Sequence, residues 1–323
     1  MSNPVSASSA RIALVLGATG GVGGETAAAL ARHGWTVRAL TRNPDAARIK
    51  RPDWNWMAGD ALDREAVVAA AQGASVIVHA VNPPGYRDWD RLVLPMIDNT
   101  IAAARASGAR ILLPGTIYNY GPDAFPLLHE DQPQSPTTRK GAIRVEMERR
   151  LSAACADDVR VLILRGGDYF GPRPGNSWFS QGLVTPGKPV RAIAYPGKKG
   201  VGHAWAYLPD VAETFAQLAD IEAELEPFAR YHFGGHWDAD GTGITEAVRR
   251  AVPGKPRVSL MSWPLLALIA PFNETLRELM EMKPLWRRSL QLDNHRLVTR
   301  LGSEPHTPLD EAVQTSLKAL GCL

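Results

Sequence analysis

The chain has 323 residues, 45% hydrophobic and 21% charged, and a formal net charge of +3. This is the composition of a globular protein with room for one large or two ordinary domains. It excludes a disordered chain, and the small net charge with no Lys/Arg block argues against a nucleic-acid partner. The two cysteines, Cys155 and Cys322, are far apart and lack metal-ligand spacing, which argues against a disulfide framework and fits a reducing cytoplasm.

Residues 1–10 read as a polar, flexible segment. The apolar run Ile12-Ala13-Leu14-Val15-Leu16 is too short for a signal segment and reads as a buried strand. It breaks into Gly17-Ala18-Thr19-Gly20-Gly21-Val22-Gly23, and a helix follows through Thr26 to Ala31. A strand, a glycine turn and a helix N-terminus form an anion site, because unpaired amides and the helix dipole converge there. Spaced glycines let the backbone approach a pyrophosphate, so Gly17, Thr19, Gly20, Gly21, Val22 and Gly23 are expected to bind a dinucleotide.

A second strand is predicted over 35–42, entered through Gly34 and closed by the turn Asn43-Pro44. A third covers 54–58 and ends at Gly59-Asp60. Asp63 caps a helix to Ala71. The apolar run 75–81 is a fourth strand of the parallel type, and Asn82-Pro83-Pro84-Gly85 forces a loop. A helix from about Asp90 to Ser107 leads to strand five at 110–114. A helix from about Thr138 to Ala154 precedes strand six at 159–165. This rhythm predicts an α/β fold: a Rossmann-type, doubly wound parallel sheet over 10–170, with ligands at the strands' carboxyl ends.

From Gly166 the texture changes to loops rich in Pro and Gly, followed by helices near 210–219 and 245–251, a strand at 231–233 and a mostly helical tail over 264–320. We expect a smaller, largely helical substrate lobe over 171–323, some of whose strands and helices return to the first domain. The apolar run Leu265 to Ala270 is bracketed by prolines and too short to span a membrane, so no membrane association is expected.

At this point the sequence resembles the extended or atypical short-chain dehydrogenase/reductase superfamily, the NAD(P)-dependent epimerase/dehydratase-like group. Gly17-x-x-Gly20-x-x-Gly23 resembles its phosphate loop. Gly59-Asp60 resembles its adenine-contact turn, and Asn99-Thr100 its fourth-helix signature. Gly115-Thr116-Ile117-Tyr118-Asn119-Tyr120-Gly121 resembles the segment after strand five. Arg165-Gly166-Gly167-Asp168-Tyr169-Phe170-Gly171-Pro172 resembles the loop that faces nicotinamide and substrate. Ala206 to Ala212 and His306-Thr307-Pro308-Leu309 look like later family segments. One departure stands out. Where the family carries a catalytic Tyr-x-x-x-Lys, Thr137 or Thr138 stands in the tyrosine's place, and Lys140 is off that register.

The resemblance implies cofactor contacts from Asp60 and Ala61, from Ala80, Val81 and Asn82 at the end of strand four, and from Gly167. Arg42 closes strand two, where an acidic residue would bind the ribose 2′-hydroxyl of NAD. A cation there suits a 2′-phosphate, so NADP is expected ahead of NAD. Thr116, Tyr118 and Lys140 are the catalytic candidates. Each also has a plainer reading: a turn threonine, a packed tyrosine and a solvated lysine. The plainer reading of Arg42 is a surface arginine and that of Asp60 a turn or cap residue, while His79 reads as a core residue. His232 and His236 flank Gly234-Gly235 in a loop and suggest no metal site; Trp178 and Trp205 line a pocket or simply pack.

Three functions fit. The first is an NADP-dependent oxidoreductase or epimerase-like enzyme for a carbonyl or sugar-type small molecule, with an unusual proton donor. The second is a silent NADP-binding sensor or structural subunit. The third is a sugar-nucleotide epimerase or dehydratase. A homodimer is compatible with all three.

Overall fold

A computed structural model describes residues 11–83, 88–173, 175 and 177–323. The expectations for residues 1–10 and for Pro84 and Gly85 lie outside these residues. The first half alternates as predicted, except that the Asn43-Pro44 turn opens a short helix, α2, capped by Asn43: β1 (Ile12–Leu16), α1 (Gly21–Arg32), β2 (Thr36–Thr41), α2 (Pro44–Lys50), β3 (Asn55–Ala58), α3 (Arg64–Ala70), β4 (Val76–His79), α4 (Trp89–Ser107) and β5 (Arg110–Gly115). After the short β6 (Leu127–Leu128) come α5 (Arg139–Ala154) and β7 (Val161–Arg165).

The second half holds β8 (Asp168–Phe170), β9 (Ala192–Tyr195), β10 (His203–Tyr207), α6 (Leu208–Asp220), β11 (Phe228–His232), β12 (His236–Asp238), α7 (Gly243–Ala251) and β13 (Arg257–Leu260). It ends with α8 (Trp263–Ile269), α9 (Glu274–Met280), β14 (Gln291–Leu292), α10 (His295–Leu301) and α11 (Leu309–Ala319).

Seven parallel strands form one sheet in the order β11-β7-β5-β4-β1-β2-β3. The winding reverses between β1 and β4, so a crevice opens at their carboxyl ends, where open α/β sheets bind ligands. Pleating sorts β1 between two cores. Ala13 and Val15 pack with α1 and α6, while Leu14 and Leu16 pack with α3, α4 and α5. Because both faces are covered, the strands read as apolar runs rather than as alternating ones.

The order of the chain is not the order of the layers. α6 lies against α1, and β11 extends the sheet beyond β7, so residues 208–232 complete the first domain. The rest of the second half builds a core of its own from Trp178, Phe179, Trp205, Trp286, Val248 and Val313. Trp178 and Trp205 are buried there and line neither cavity described below. The loop placement of His232 and His236 is corrected: they close β11 and open β12, because Phe233, Gly234 and Gly235 suffice for the turn. Two family-like segments prove to be one fastening, since Asp210 accepts from both the backbone N–H and the hydroxyl of Thr307 at 2.7 Å.

The end of α1 is pinned to α6 by charge. His33 Nδ1 lies 2.5 Å from Asp220 and Nε2 lies 2.8 Å from Glu213, while Arg11 and Trp35 also donate to Asp220. Burial alone would lower the His33 pKa, but bonds to the two carboxylates outweigh it and the pKa is raised. The bonds hold Asp220 and Glu213 low despite their own burial. A raised histidine stabilises fully below its unfolded value of about 6.5 and loses that contribution as pH rises through the folded value; lowered carboxylates lose theirs as pH falls below about 4. His33→Ala is therefore expected to cost about 1 kcal/mol in urea denaturation at pH 6 and clearly less at pH 8.5. An equal cost at both pH values would show that packing, not charge, fastens these helices.

Candidate functional site

The glycine turn works by close approach. Gly17 has φ +89°, and a Cβ on it would lie 2.5 Å from the Ala80 carbonyl oxygen. A Cβ on Gly23 would lie 2.4 Å from the Gly17 carbonyl oxygen. Backbone thus packs on backbone, which draws the ends of β1 and β4 together beneath the first turn of α1. That turn begins with no side-chain cap at Gly20, leaving its amides to an external anion.

Two cavities adjoin at this point and share Gly20, Ala80, Val81 and Asn82. One, of about 310 Å³, is lined by Gly17, Thr19, Thr41, Arg42, Gly59, Asp60 and Ala61 among others. Arg42 is 82% exposed with its Nε 4.0 Å from Asp60 Oδ2, and Asp60 Oδ1 accepts from the Leu62 amide at 3.0 Å. Asn99 of α4 donates to the Ala61 carbonyl at 2.9 Å, so the fourth-helix signature holds this wall in place. The other cavity, of about 370 Å³, contains Gly21, Val22, Thr116, Tyr118 and Gly167 among its lining residues. The expected cofactor residues thus gather along one cleft, except Gly23, which packs behind the turn.

A buried polar network underlies the second cavity. Arg165 at the end of β7 donates to both oxygens of Glu148 on α5, at 2.9 and 2.8 Å, and also to the Thr116 carbonyl. Glu148 accepts as well from Asn119 at 2.8 Å and from Gln134 at 2.7 Å. A carboxylate bonded to a buried arginine only accepts, so the Asn119 amide nitrogen faces it. The Asn119 oxygen therefore faces Thr116 and takes the Thr116 hydroxyl proton at 3.2 Å. In this arrangement Thr116 offers the cavity lone pairs rather than a proton.

Other polar groups of the chamber are similarly committed. Tyr169 donates to the Gly115 carbonyl at 3.0 Å, and burial pushes its pKa up to about 12. Thr100 gives its proton to the Met96 carbonyl at 3.1 Å, so His79 Nδ1 donates to Thr100 Oγ1 at 2.8 Å. Burial holds His79 down to about 3, with Arg144 adding to the effect, so the ring is neutral at physiological pH. Asp168 lies 2.6 Å from His203 Nε2, and His203 stacks on Trp286 at 3.8 Å.

Along α5 the structure departs from expectation. Thr138 is the helix N-cap, its side chain accepting from the Gly141 amide at 2.9 Å, and it serves the backbone. Lys140 is not solvated and does not line the cleft. Its fully buried ammonium lies between Glu278 and Glu281 of the second lobe, 2.7 Å from the latter. One turn on, at i+4, Arg144 lines the second cavity, donates to Asn82 at 3.3 Å and sits 5.0 Å from the centre of the Trp89 ring. The paired positions on this helix are thus Lys140 and Arg144. Arg144, Asp168, Arg173 and the Glu148–Asn119 pair are the cleft residues sequence reasoning missed. Asp168 and Asn119 lie inside the two family-like segments quoted above and Arg144 lies four residues from Lys140, whereas Glu148 and Arg173 carry no such signal.

The comparisons with known proteins bear on the fold. Residues 17–160 match the family model described as NAD(P)H-binding. Over 183 residues, 50% of the chain, the protein is 34% identical to a 3-diazoavenalumate denitrifying reductase from Streptomyces sp., and it spans about 57% of that relative's length. The fold matches UDP-glucose 4-epimerase from Brucella ovis in complex with NAD, with a TM-score of 0.75 and 16% identity over 97% of this chain and 99% of the other. It also matches UDP-glucose 4-epimerase from Bifidobacterium longum in complex with NAD+ and UDP, with a TM-score of 0.74 and 14% identity over 97% and 100%. These likenesses show the fold, a seven-stranded parallel sheet flanked by helices that this chain shares with both epimerases.

Glu148→Gln leaves the Arg165 guanidinium buried without a counter-charge. The expected cost is about 3–5 kcal/mol in denaturant unfolding, far above the few tenths expected of an exposed glutamate on the same helix. A cost below 1 kcal/mol would mean that the network does not hold this floor.

Proposed function

We propose that the protein is an NADPH-dependent reductase, with NADH the weaker donor, acting on a small carbonyl-type acceptor beside Thr116 and Tyr118. The observation that carries this reading is the pair on α5. Arg144 stands in the chamber four residues after Lys140, and no Tyr-x-x-x-Lys occurs in this stretch of the chain. A guanidinium stays protonated at any physiological pH, so it holds an anion or a ribose hydroxyl but does not shuttle protons. Epimerisation needs a base that removes a hydroxyl proton and returns it. Reduction needs only a proton source once the acceptor carries charge. The Streptomyces relative, a reductase by name, supports the same choice.

The dinucleotide, when bound along the cleft, supplies the hydride. Gly20, Gly21 and Val22 would receive its pyrophosphate, and Arg42 a 2′-phosphate beside Asp60. Reduction of the acceptor carbonyl would leave negative charge on its oxygen. Arg144 stabilises that charge, and the Tyr118 phenol gives the proton, later replaced from water. Thr116 accepts a hydrogen bond from the substrate and orients it.

NADPH is expected to raise the melting temperature more than NADH does, and Arg42→Ala to weaken NADPH about tenfold while leaving NADH unchanged. Stabilisation by no nicotinamide nucleotide would overturn the reading. NADPH oxidation against a panel of aldehydes, ketones and quinones then identifies the acceptor. Tyr118→Phe is expected to lower kcat about 100-fold with NADPH affinity retained, and unchanged turnover would remove Tyr118 from the mechanism.

A further inference from the structure

We propose that Arg173 is a phosphate clamp: its guanidinium reaches over the first turns of α1 to bind the pyrophosphate of the dinucleotide, and Glu25 is the counter-charge it holds until then. The inference rests on the reading that the cleft takes NAD(P)(H).

Arg173 belongs to the loop after β8, on the opposite side of the cleft from the glycine turn, yet it lines the same cavity as Gly20, Gly21 and Val22. The loop presses directly on the helix. A Cβ on Gly21 would come 3.5 Å from the Arg173 carbonyl oxygen, and a Cβ on Gly24 3.2 Å from Arg173 Cδ. The phosphate-loop spacing accounts for Gly17, Gly20 and Gly23 but leaves Gly24 unexplained. Part of its reason is local, because a Cβ there would also stand 2.9 Å from the Ala18 carbonyl. The rest is the arginine stem that crosses it.

The guanidinium is near a carboxylate without being spent on it. Arg173 Nε lies 2.8 Å from Glu25 Oε1, but it is out of line for a hydrogen bond and has no other partner among the described residues. Glu25 is nearly buried on α1, while the arginine side chain is 35% exposed. A cation with five donors is therefore parked beside a helix N-terminus whose own partial charge already favours anions. A pyrophosphate at that terminus would meet one full positive charge from Arg173 and one opposing negative charge from Glu25. Removing either should move affinity, in opposite directions. Since every nicotinamide dinucleotide carries the pyrophosphate, the effect must be the same with and without a 2′-phosphate, unlike that of Arg42.

The test is a fluorescence titration of NADPH and NADH into the wild-type protein, R173Q and E25Q, at low and high salt. R173Q keeps most of the stem that Gly24 admits, and circular dichroism melting of the nucleotide-free variants checks their folding. The expected result is that R173Q raises the Kd of both nucleotides about tenfold, by one common factor and with a shallower salt dependence, whereas E25Q lowers both. Unchanged affinity in folded R173Q overturns the clamp and leaves the dinucleotide reading intact. A loss confined to NADPH also overturns it, by assigning Arg173 to the 2′-phosphate. A wild-type protein that binds neither nucleotide overturns both readings.

Discussion

Arg165 and Glu148 meet inside the protein, where an isolated charge is costly and a fully bonded pair is tolerated. One comes from the end of β7 and the other from α5, so the pair holds a strand of the central sheet to a helix covering it. The remaining bonds of the same carboxylate reach Asn119 and Gln134, which lie in the segment between β5 and α5. A loop carrying candidate reactive groups is thereby tied to the core beneath it. The consequence is chemical as well as mechanical. An acceptor-only carboxylate orders the Asn119 amide, and the amide orders the Thr116 hydroxyl.

The second cavity is lined by residues from both halves of the chain, the first only by residues 16–96. β11 and α6 come late in sequence but belong to the sheet and its covering layer, while the loop after β8 crosses back over α1. The cluster of Arg139, Lys140, Glu278 and Glu281 couples the start of α5 to the second lobe. Lys140 is therefore a joint between lobes in this structure. Arg144 and Tyr118 remain among the side chains that line the chamber.

Much of the fold was legible because its signals are local. A buried parallel strand must be apolar on both faces, a helix must start with a cap, and a phosphate turn needs glycine where backbone meets backbone. Gly17, Gly23 and the caps Asp63 and Thr138 obey such rules within a few residues of chain. The start of α1 was placed late because a glycine-rich first turn lacks helix propensity and is held by what it packs against. The histidines at 232 and 236 were misplaced for a similar reason: strand ends beside Gly-Gly look like loop until their partners are known.

The sequence by itself determined six of the seven parallel strands and the glycine turn, since periodicity and glycine spacing are properties of neighbours in the chain. Only the tertiary structure decided what the charged residues do. Lys140 and Arg144 sit one helical turn apart, yet one is buried against carboxylates more than 130 residues away and the other faces the chamber. Arg173 faces Glu25 across a turn that neither residue belongs to. Coulomb interactions and desolvation depend on distance in space and on burial, and no pattern of neighbours along the chain encodes either.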